Sequence, residues 1–308
     1  MKSELKYELH LMHDNVPLQV ARFEPTGTPK GVIQAVHGFG THIDKYKELA
    51  DFFNTNGYAF VIHDQRGHGM MPGTTKEERK WLQGIIPEYK LFLDDIATIR
   101  GKISQWYPDI PVILYGQSMG GNISINYLLS RVQDGYAKVI LESPWLRLYK
   151  PLSKALSMIV SILSAISYKL AIVNKLDPKK LVRVAEVATV DTDTNNVTAD
   201  ATNATDAHHE VRDYKKDEYY HNRISFRLLK QVTDAGEYAI ANARGISIPA
   251  LVLCAGQDKI VSAKAIHDFC ENAGENVTLQ DFPTGYHSLH SDLIKMDVWK
   301  RMLEFCDE

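Results

Sequence analysis

Hydrophobic and polar positions along the chain follow two different periods. Short runs rich in Val, Ile and Leu are bounded by Gly, Pro, Asn or Asp, which is typical of buried strands. Longer segments place apolar residues every three or four positions, which is typical of helices packed on one side. The predicted strands are residues 7–12, 18–23, 31–36, 58–62, 112–115, 137–141, 250–254 and 277–281, and the predicted helices are 45–55, 87–107, 122–131, 263–272 and 291–306.

The order of these elements indicates an α/β fold. The first two strands follow each other directly and are expected to pair in antiparallel fashion at one edge. The later strands alternate with helices, which favours a mostly parallel central sheet with helices on both faces. At 308 residues and 44% hydrophobic content, the chain is long enough for one large core and an inserted subdomain.

The alternation stops at residues 145–222, where we expect a helical cap inserted between two parts of the core, 1–144 and 223–308. Residues 147–183 carry eight basic residues and one acid, and 155–168 carry no charge. That uncharged run is shorter than the roughly 20 residues of a membrane span, so it predicts a packed or amphipathic cap helix. The tract at about 188–207 is rich in Thr, Asn, Asp and Ala and has no aromatic residue, which predicts a mobile, solvated acidic loop.

Residues 116–121 read Gly-Gln-Ser-Met-Gly-Gly and lie between a predicted strand and a predicted helix. This is the setting in which a G-x-S-x-G motif forms a tight turn that exposes a nucleophilic serine. Gly116 and Gly120 leave room on either side of the turn, and the helix N-terminus offers backbone N–H groups and positive dipole. The motif therefore predicts Ser118 as the nucleophile.

An acid and a histidine follow the serine in the order that such a site requires. Asp258 comes just after the strand at 250–254, and His287 comes after the strand at 277–281. Because the carboxyl ends of parallel strands share one edge of the sheet, both side chains are expected near Ser118. His287 would be the general base, and Asp258 would hold its imidazole in the correct tautomer.

Three residues compete for these roles. His290 lies three positions beyond His287 and is the alternative base, although it is more plausibly part of the start of the last helix. Asp281 lies inside a predicted strand, and Asp292 follows the histidine. Either aspartate would break the expected chain order.

The turn after the strand at 31–36 supplies a candidate oxyanion hole. It reads His-Gly-Phe-Gly, and its small residues let the backbone approach a substrate. The N–H groups of Phe39 and Met119 are the predicted donors to a developing oxyanion. His37 is expected to brace this turn structurally rather than to catalyse.

The loop at 63–69 contains two histidines and an aspartate, but no compact spacing of zinc ligands. We expect Asp64 and Arg66 to form a structural polar network there. His208 and His209, beside acidic residues, are similarly interpreted as part of a solvated charge run. No metal site and no organic cofactor are predicted.

Together these motifs resemble a known family. His-Gly-Phe-Gly at 37–40, Asp-Gln-Arg-Gly-His-Gly at 64–69, Gly-Gln-Ser-Met-Gly-Gly at 116–121, Gln-Asp at 257–258 and Tyr-His-Ser-Leu-His at 286–290 are similar to the monoacylglycerol lipase and lysophospholipase group of α/β-hydrolases, also called serine-aminopeptidase-like hydrolases. The resemblance implies the α/β-hydrolase fold with a cap over the active site.

Carried over residue by residue, the resemblance implies the roles that the motifs predict. Ser118 corresponds to the nucleophile, Asp258 and His287 to its partners, and the Phe39 and Met119 amides to the oxyanion donors. The match covers about 1–145 and 220–308. It departs at position 117, where the family often has His and this chain has Gln, a position beneath the turn that should not change the reaction type.

Charge and cysteine content limit the expected partners and the expected cellular location. A formal net charge of −3 and an isoelectric point near 6.5 give no reason to expect a nucleic-acid partner. The odd number of cysteines, three, is typical of reduced thiols, and residues 1–13 lack the apolar stretch of a secretory signal. We therefore expect a cytoplasmic protein. No pattern indicates an oligomeric state.

The cap suggests the substrate class. An apolar helix over a serine nucleophile would suit a lipophilic acyl chain, so Met158 and Ile162 are predicted to line the substrate site. Basic residues of the same segment could contact a membrane surface transiently. The leading hypothesis is a serine hydrolase that cleaves esters such as monoacylglycerols or lysophospholipids through an acyl-enzyme on Ser118.

Three other functions are open to such a chain. A short-chain or aromatic-acid carboxylesterase would use the cap helix only for packing. A serine aminopeptidase would need a cap carboxylate to bind the substrate amine, and Glu186, Glu210 and Glu218 are the candidates. A non-catalytic ligand receptor would not need the complete set of Ser118, Asp258 and His287.

Overall fold

One large sheet organises the computed structural model, which describes residues 4–131, 133–173, 180–182 and 217–308. Its strands are β1 (Glu4–Leu11), β2 (Pro17–Glu24), β3 (Gly31–Val36), β4 (Tyr58–His63), β5 (Val112–Gln117), β6 (Lys138–Glu142), β9 (Ala250–Ala255) and β10 (Val277–Phe282). The order of these strands in space is β1-β2-β4-β3-β5-β6-β9-β10. β1 and β2 pair in antiparallel fashion, as do β2 and β4, and every other pair in this sheet is parallel.

Helices cover both faces of this sheet, and a short antiparallel ribbon lies outside it. The ribbon pairs β7 (Ala171–Val173) with β8 (Arg223–Ser225). None of the described helices is both long enough and apolar enough to cross a membrane. The helices are α1 (Lys47–Thr55), α2 (Lys76–Leu82), α3 (Lys90–Trp106), α4 (Met119–Ser130), α5 (Lys154–Ile166), α6 (Phe226–Ala241), α7 (Ala263–Asn272) and α8 (Lys295–Asp307).

The core is divided by the sheet into two apolar layers. Every residue of β3, β4, β5 and β9 is buried, because helices cover both faces of these strands. This explains why their sequences read as continuous apolar runs rather than as alternating ones. One layer packs under α3, α4, α6 and α7, and the other packs under α1 and α8.

The fold class predicted from the sequence is confirmed, and each predicted strand is present. β3 and α7 have the predicted bounds, whereas α4 begins at Met119, earlier than expected. The prediction missed α2, the β7–β8 ribbon and α6. The sequence does carry a signal for α6, since apolar residues recur at helical spacing after Ser225. The Ser225 side chain caps this helix by accepting the N–H of Leu228. The predicted acidic loop at 188–207 lies outside the described residues.

The topology creates a crevice where the predicted site residues converge. β3 lies between β4 and β5, so the loops that follow β3 and β5 leave the same edge of the sheet toward opposite sides. The loops after β9 and β10 leave from that edge too, because both strands run parallel to β5. Residues far apart in sequence are thereby placed around one point.

Arg66 joins the loop after β4 to α3. Its guanidinium donates two hydrogen bonds of 2.6 Å to Asp95 and two more, of 2.7 and 2.8 Å, to Asp14. Burial raises the pKa of Asp95 to about 6, although the bonds from Arg66 oppose that shift. The predicted network of Arg66 with Asp64 is wrong. Asp64 instead accepts the backbone N–H groups of Ile43 and Met70.

Replacing Arg66 should cost far more stability than replacing an exposed cation. We expect Arg66→Met to lower the free energy of unfolding by about 3–5 kcal/mol, because Asp95 would be left buried without its partner. Lys230→Met is the matched control, since Lys230 pairs with Asp234 on an exposed helix face and should cost less than about 1 kcal/mol. Urea unfolding of both variants measures the difference. Equal losses would contradict a structural role for the Arg66 cluster.

Candidate active site

The turn between β5 and α4 holds Ser118 in a strained conformation. Its φ of 53° and ψ of −115° are unusual for a residue with a side chain. The neighbouring glycines are required by close packing. A Cβ on Gly116 would lie 2.5 Å from the Ser124 hydroxyl, and one on Gly120 would lie 2.0 Å from the carbonyl oxygen of Val36. The serine is thus fixed at the carboxyl end of β5.

The structure brings Ser118, His287 and Asp258 into one hydrogen-bonded chain. His287 Nε2 lies 2.9 Å from Ser118 Oγ, and His287 Nδ1 lies 2.6 Å from Asp258 Oδ2. All three side chains are buried. The second oxygen of Asp258 accepts the backbone N–H groups of Ile260 and Val261 at 2.7 and 2.9 Å, which fixes the orientation of the carboxylate.

This arrangement is chemically suited to activating an alcohol. With Nδ1–H donated to Asp258, the imidazole of His287 presents the lone pair of Nε2 to the Ser118 hydroxyl. The carboxylate can then stabilise the imidazolium that forms when the proton moves. The catalytic roles of the three residues remain predictions that the geometry makes chemically reasonable.

The predicted oxyanion donors come from two places in the fold, the start of α4 and the loop after β3. Met119 is the first residue of α4, so its N–H is one of the helix N-terminal donors that have no partner within the helix. Phe39 lies on the loop after β3, called here the oxyanion loop (residues 37–46). Its ring packs edge-on against the Trp145 ring, and the backbone N–H of Trp145 donates to the Ser118 carbonyl. The oxyanion roles of Phe39 and Met119 also remain predictions.

His37 braces the oxyanion loop, as expected from the sequence. Its Nδ1 donates to the carbonyl oxygen of Gly38 at 2.8 Å, and its Nε2 accepts the N–H of Gln65 at 2.9 Å. Burial, with a smaller contribution from His68, lowers the pKa of His37 well below its usual value. The ring is therefore neutral and serves as a fixed hydrogen-bonding strut.

A contact that the sequence did not reveal holds the oxyanion loop from the other side. Asp217 accepts hydrogen bonds from His42 and Lys45 at 2.7 and 2.8 Å, and the backbone N–H of His221 donates to the Gly40 carbonyl at 2.9 Å. Burial alone would raise the pKa of Asp217, but the bonds from His42 and Lys45 hold it well below its usual value. The partners are separated by 175 positions, so no local pattern could have signalled the pairing.

His290, the alternative base, belongs to a second buried network. Its Nδ1 lies 2.8 Å from Glu142 Oε1, and its backbone N–H donates to the same oxygen at 3.2 Å. Tyr115 donates to the other carboxylate oxygen at 2.7 Å, and Tyr46 stacks on the imidazole at 4.7 Å. His290 lies in a short 3-10 turn rather than at the start of α8. These contacts make it a packing and orienting residue next to His287.

The other aspartates proposed as alternatives have different partners. Asp281 contacts His267 at 3.0 Å, and Asp292 accepts the N–H of Tyr286 at 3.3 Å. Asp258 is the carboxylate that the structure places against His287. Its position after a strand, rather than within one, is the sequence feature that distinguished it.

A small cavity of about 30 Å³ opens beside Ser118. Met158 and Ile162 are not among its lining residues. They lie on α5 with 62% and 54% of their surface exposed, so their predicted contact with substrate remains a prediction. The lining residues are Phe39, Thr41, Lys45, Tyr46, Gln117, Ser118, Leu181, Tyr220, His287, Ser288 and His290.

Glu218 is the candidate carboxylate for an aminopeptidase that lies within the described residues, and it is not among the residues that line this cavity. Glu218 pairs with Lys76 at 3.2 Å and with Arg79 at 3.5 Å on the surface. Glu186 and Glu210 lie outside the described residues, as do His208 and His209.

The fold and the site define an α/β-hydrolase, and the comparisons with known proteins agree. Residues 27–294 match the Hydrolase_4 family, described as serine aminopeptidase, S33. The chain belongs to this family. It is a serine ester hydrolase of the lipase and esterase type, and the predicted resemblance to the monoacylglycerol lipase and lysophospholipase group is confirmed.

Three relatives illustrate the range of the family. Phospholipase YtpA of Bacillus subtilis is 26% identical over 91% of this chain and 96% of its own length. An uncharacterized abhydrolase domain-containing protein of Dictyostelium discoideum is 26% identical over 97% of this chain, which spans only 28% of that longer relative. The crystal structure of the monoacylglycerol lipase of Paleococcus ferrophilus superposes with a TM-score of 0.75, at 26% identity, covering 94% of this chain and 97% of that one.

Substituting the two histidines separately should distinguish their roles. We expect His287→Ala to lower kcat/KM by roughly 10⁴-fold or more, because the base and the leaving-group acid are both lost. His290→Ala should keep kcat/KM within about tenfold of wild type but lower the free energy of unfolding by about 1.5–3 kcal/mol, because Glu142 loses a buried partner. Ester hydrolysis and urea unfolding measure the two effects. The reverse pattern would assign the base to His290.

Proposed function

We propose that this protein hydrolyses carboxylic esters with a lipophilic acyl chain, such as monoacylglycerols or lysophospholipids. The observation that carries the proposal is the buried hydrogen-bonded chain from Ser118 through His287 to Asp258. The similarity to a monoacylglycerol lipase and to a phospholipase over most of the chain supports a lipid ester as the substrate.

The reaction would proceed through an acyl-enzyme. Ser118 Oγ attacks the ester carbonyl while His287 Nε2 takes its proton, and the N–H groups of Phe39 and Met119 receive the oxyanion. When the tetrahedral intermediate collapses, His287 gives its proton to the departing alcohol. A water molecule, activated by the same imidazole, then attacks the acyl group and releases the acid. Asp258 keeps the imidazole oriented through both steps.

The segment 145–222 would act as the cap that meets the lipid. On α5, Val160 and Ser164 pack inward, whereas Met158, Ile159 and Ile162 are exposed together on the outer side. A helix that presents large apolar side chains to solvent is typical of a surface that contacts membranes or lipid substrates. We propose that this face receives the acyl chain or docks transiently on a lipid surface.

A short-chain carboxylesterase is the second candidate. The cavity beside Ser118 is about 30 Å³ among the described residues, and this favours a small acyl group. An aminopeptidase has less support, because the carboxylate of Glu218 is already paired with two cations.

We also propose a cytoplasmic location. Cys254, Cys270 and Cys306 are all free thiols, which is usual for proteins in a reducing compartment.

Labelling with an organophosphonate tests the nucleophile. We expect the probe to modify Ser118 in the wild-type protein, and Ser118→Ala to abolish both labelling and ester hydrolysis, because Ser118 carries the hydroxyl that the structure places against His287. Ser130→Ala, at the far end of α4, is the matched control and should label and hydrolyse normally. Mass spectrometry locates the adduct. An adduct on another residue, or activity of Ser118→Ala within about tenfold of wild type, would reject the proposal.

Charges on α5 test the choice of substrate class. We expect Met158→Lys and Ile162→Lys to reduce hydrolysis of long-chain esters by at least about tenfold and to leave acetate hydrolysis nearly unchanged. The reason is that each methylene removed from water contributes about 0.8 kcal/mol, which a long chain would lose and an acetyl group would not.

The control for this test is Leu9→Lys. Leu9 is 59% exposed, like Met158, but it lies on the edge strand β1. It should affect neither substrate. Equal losses of acetate and long-chain activity in folded α5 variants would favour the short-chain carboxylesterase instead.

A further inference from the structure

Three side chains with metal-binding atoms meet on the opposite side of β9 and β10 from α8. Cys254 is on β9, Asp281 is on β10, and His267 is on α7. The parallel register places Asp281 directly beside Cys254, and His267 Nε2 lies 3.0 Å from Asp281 Oδ1. The sulfur, nitrogen and oxygen atoms all lie within 4.8 Å of one another. They form a cluster separate from the Ser118 site.

We propose that Cys254, His267 and Asp281 bind a divalent transition metal, with Zn²⁺ as the favoured ion. A thiolate, an imidazole and a carboxylate are the three ligand types that zinc accepts in proteins. The thiolate disfavours Mg²⁺ and Ca²⁺, which prefer all-oxygen surroundings. The ligands come from three elements, so the site depends on the fold rather than on a short sequence spacing. That is why inspection of sequence spacing alone did not indicate it.

The present spacing needs only a small adjustment to hold a metal. With metal–ligand bonds of about 2.0–2.3 Å, tetrahedral ligands lie roughly 3.5 Å apart. His267 and Asp281 would move apart slightly as the metal replaces the hydrogen bond between them, and both would move closer to Cys254. Rotation of the two exposed side chains is sufficient for this change, because neither is locked in the core.

The three ligands differ in how far they are buried, so the site is fixed to the core on one side and open to solvent on the other. Cys254 is buried, whereas the side chains of His267 and Asp281 are 41% and 47% exposed. An ion can therefore arrive from solvent on the side of His267 and Asp281, with a water in the fourth position. Burial, with a further contribution from Asp281, raises the pKa of the Cys254 thiol, so binding must displace its proton.

A metal here would stabilise the strands that carry two members of the candidate triad. Asp258 follows β9 and His287 follows β10, so the ion would tie α7 to both strands just before those loops. Binding to the folded state alone would raise the melting temperature as the metal concentration rises. This inference does not depend on which ester the enzyme hydrolyses.

Co²⁺ titration of the reduced, metal-free full chain tests the site. Co²⁺ bound to a thiolate has a charge-transfer absorption in the near ultraviolet, and tetrahedral Co²⁺ has intense visible bands. We expect both signals at one equivalent, and expect Zn²⁺ to abolish them by competition and to raise the melting temperature. A titration without the thiolate signal would overturn the proposal.

Substitution of the thiols identifies the sulfur ligand. We expect Cys254→Ser to lose the charge-transfer absorption and Cys306→Ser, a buried free thiol in α8, to retain it. Loss of the signal with Cys270→Ser but not with Cys254→Ser would overturn the assignment.

Variants of the two exposed ligands provide a second test in case the variant of the buried Cys254 does not fold. We expect His267→Gln and Asp281→Asn to weaken Zn²⁺ binding at least about tenfold in competition with a chromophoric chelator. His13→Gln is the matched control, because His13 is similarly exposed beside a carboxylate, Asp94, but lacks a thiol. Replacing both His208 and His209 with Ala should also leave binding unchanged. Undiminished binding by the His267 and Asp281 variants, or loss on replacing the 208–209 pair, would overturn the proposal.

Discussion

The strained backbone at Ser118 is the constraint on which the arrangement of the site depends. A residue with a side chain at φ 53° costs about 1–3 kcal/mol, which must be offset by the surrounding structure. The backbone supplies this support on both sides. The Ser118 N–H donates to the Glu142 carbonyl at 2.9 Å, and the Ser118 carbonyl accepts the N–H groups of Asn122 and Trp145. The serine is therefore bound to β6, to α4 and to the chain after β6 at once.

This constraint explains how much of the site was predictable. The glycines at 116 and 120 are local signatures of the strained turn, and the strand–loop positions of Asp258 and His287 follow from the parallel sheet. Each of these signals lies within a few residues of the group that it identifies. The sheet was predictable for the same reason, since strands such as Gly31–Val36 are buried on both faces and consist almost entirely of apolar residues.

Features that depend on contacts between distant parts of the chain were not predictable. Asp217 meets His42 and Lys45 because the residues just before β8 lie beside the oxyanion loop. Arg66 likewise pairs with carboxylates that are distant in sequence. Asp14 lies in the turn after β1, and Asp95 lies on α3. Charge in the sequence shows that such residues need partners, but only the packing decides which partners they find.

The two halves of the hydrogen-bonded chain at Ser118 are held by different kinds of interaction. Ser118 follows β5, a central strand that is buried throughout, so apolar packing fixes its position. His287 follows β10, an edge strand in which no residue is fully buried, so apolar packing holds it less firmly. Hydrogen bonds hold the loop after β10 in addition to this packing. Gly256 and Gln257 donate their N–H groups to the carbonyls of Phe282 and Gly285, which ties the loop after β9 to the loop after β10.

The surroundings of Ser118 and of His287 differ in how they constrain substitutions. A core position under Ser118 tolerates little change, because any shift alters a strained turn packed on all sides. The loop of His287 relies on separate hydrogen bonds, to Asp258 and through His290 to Glu142. The position of Ser118 is therefore set by the packed core, and hydrogen bonds at the edge of the sheet hold His287 against it.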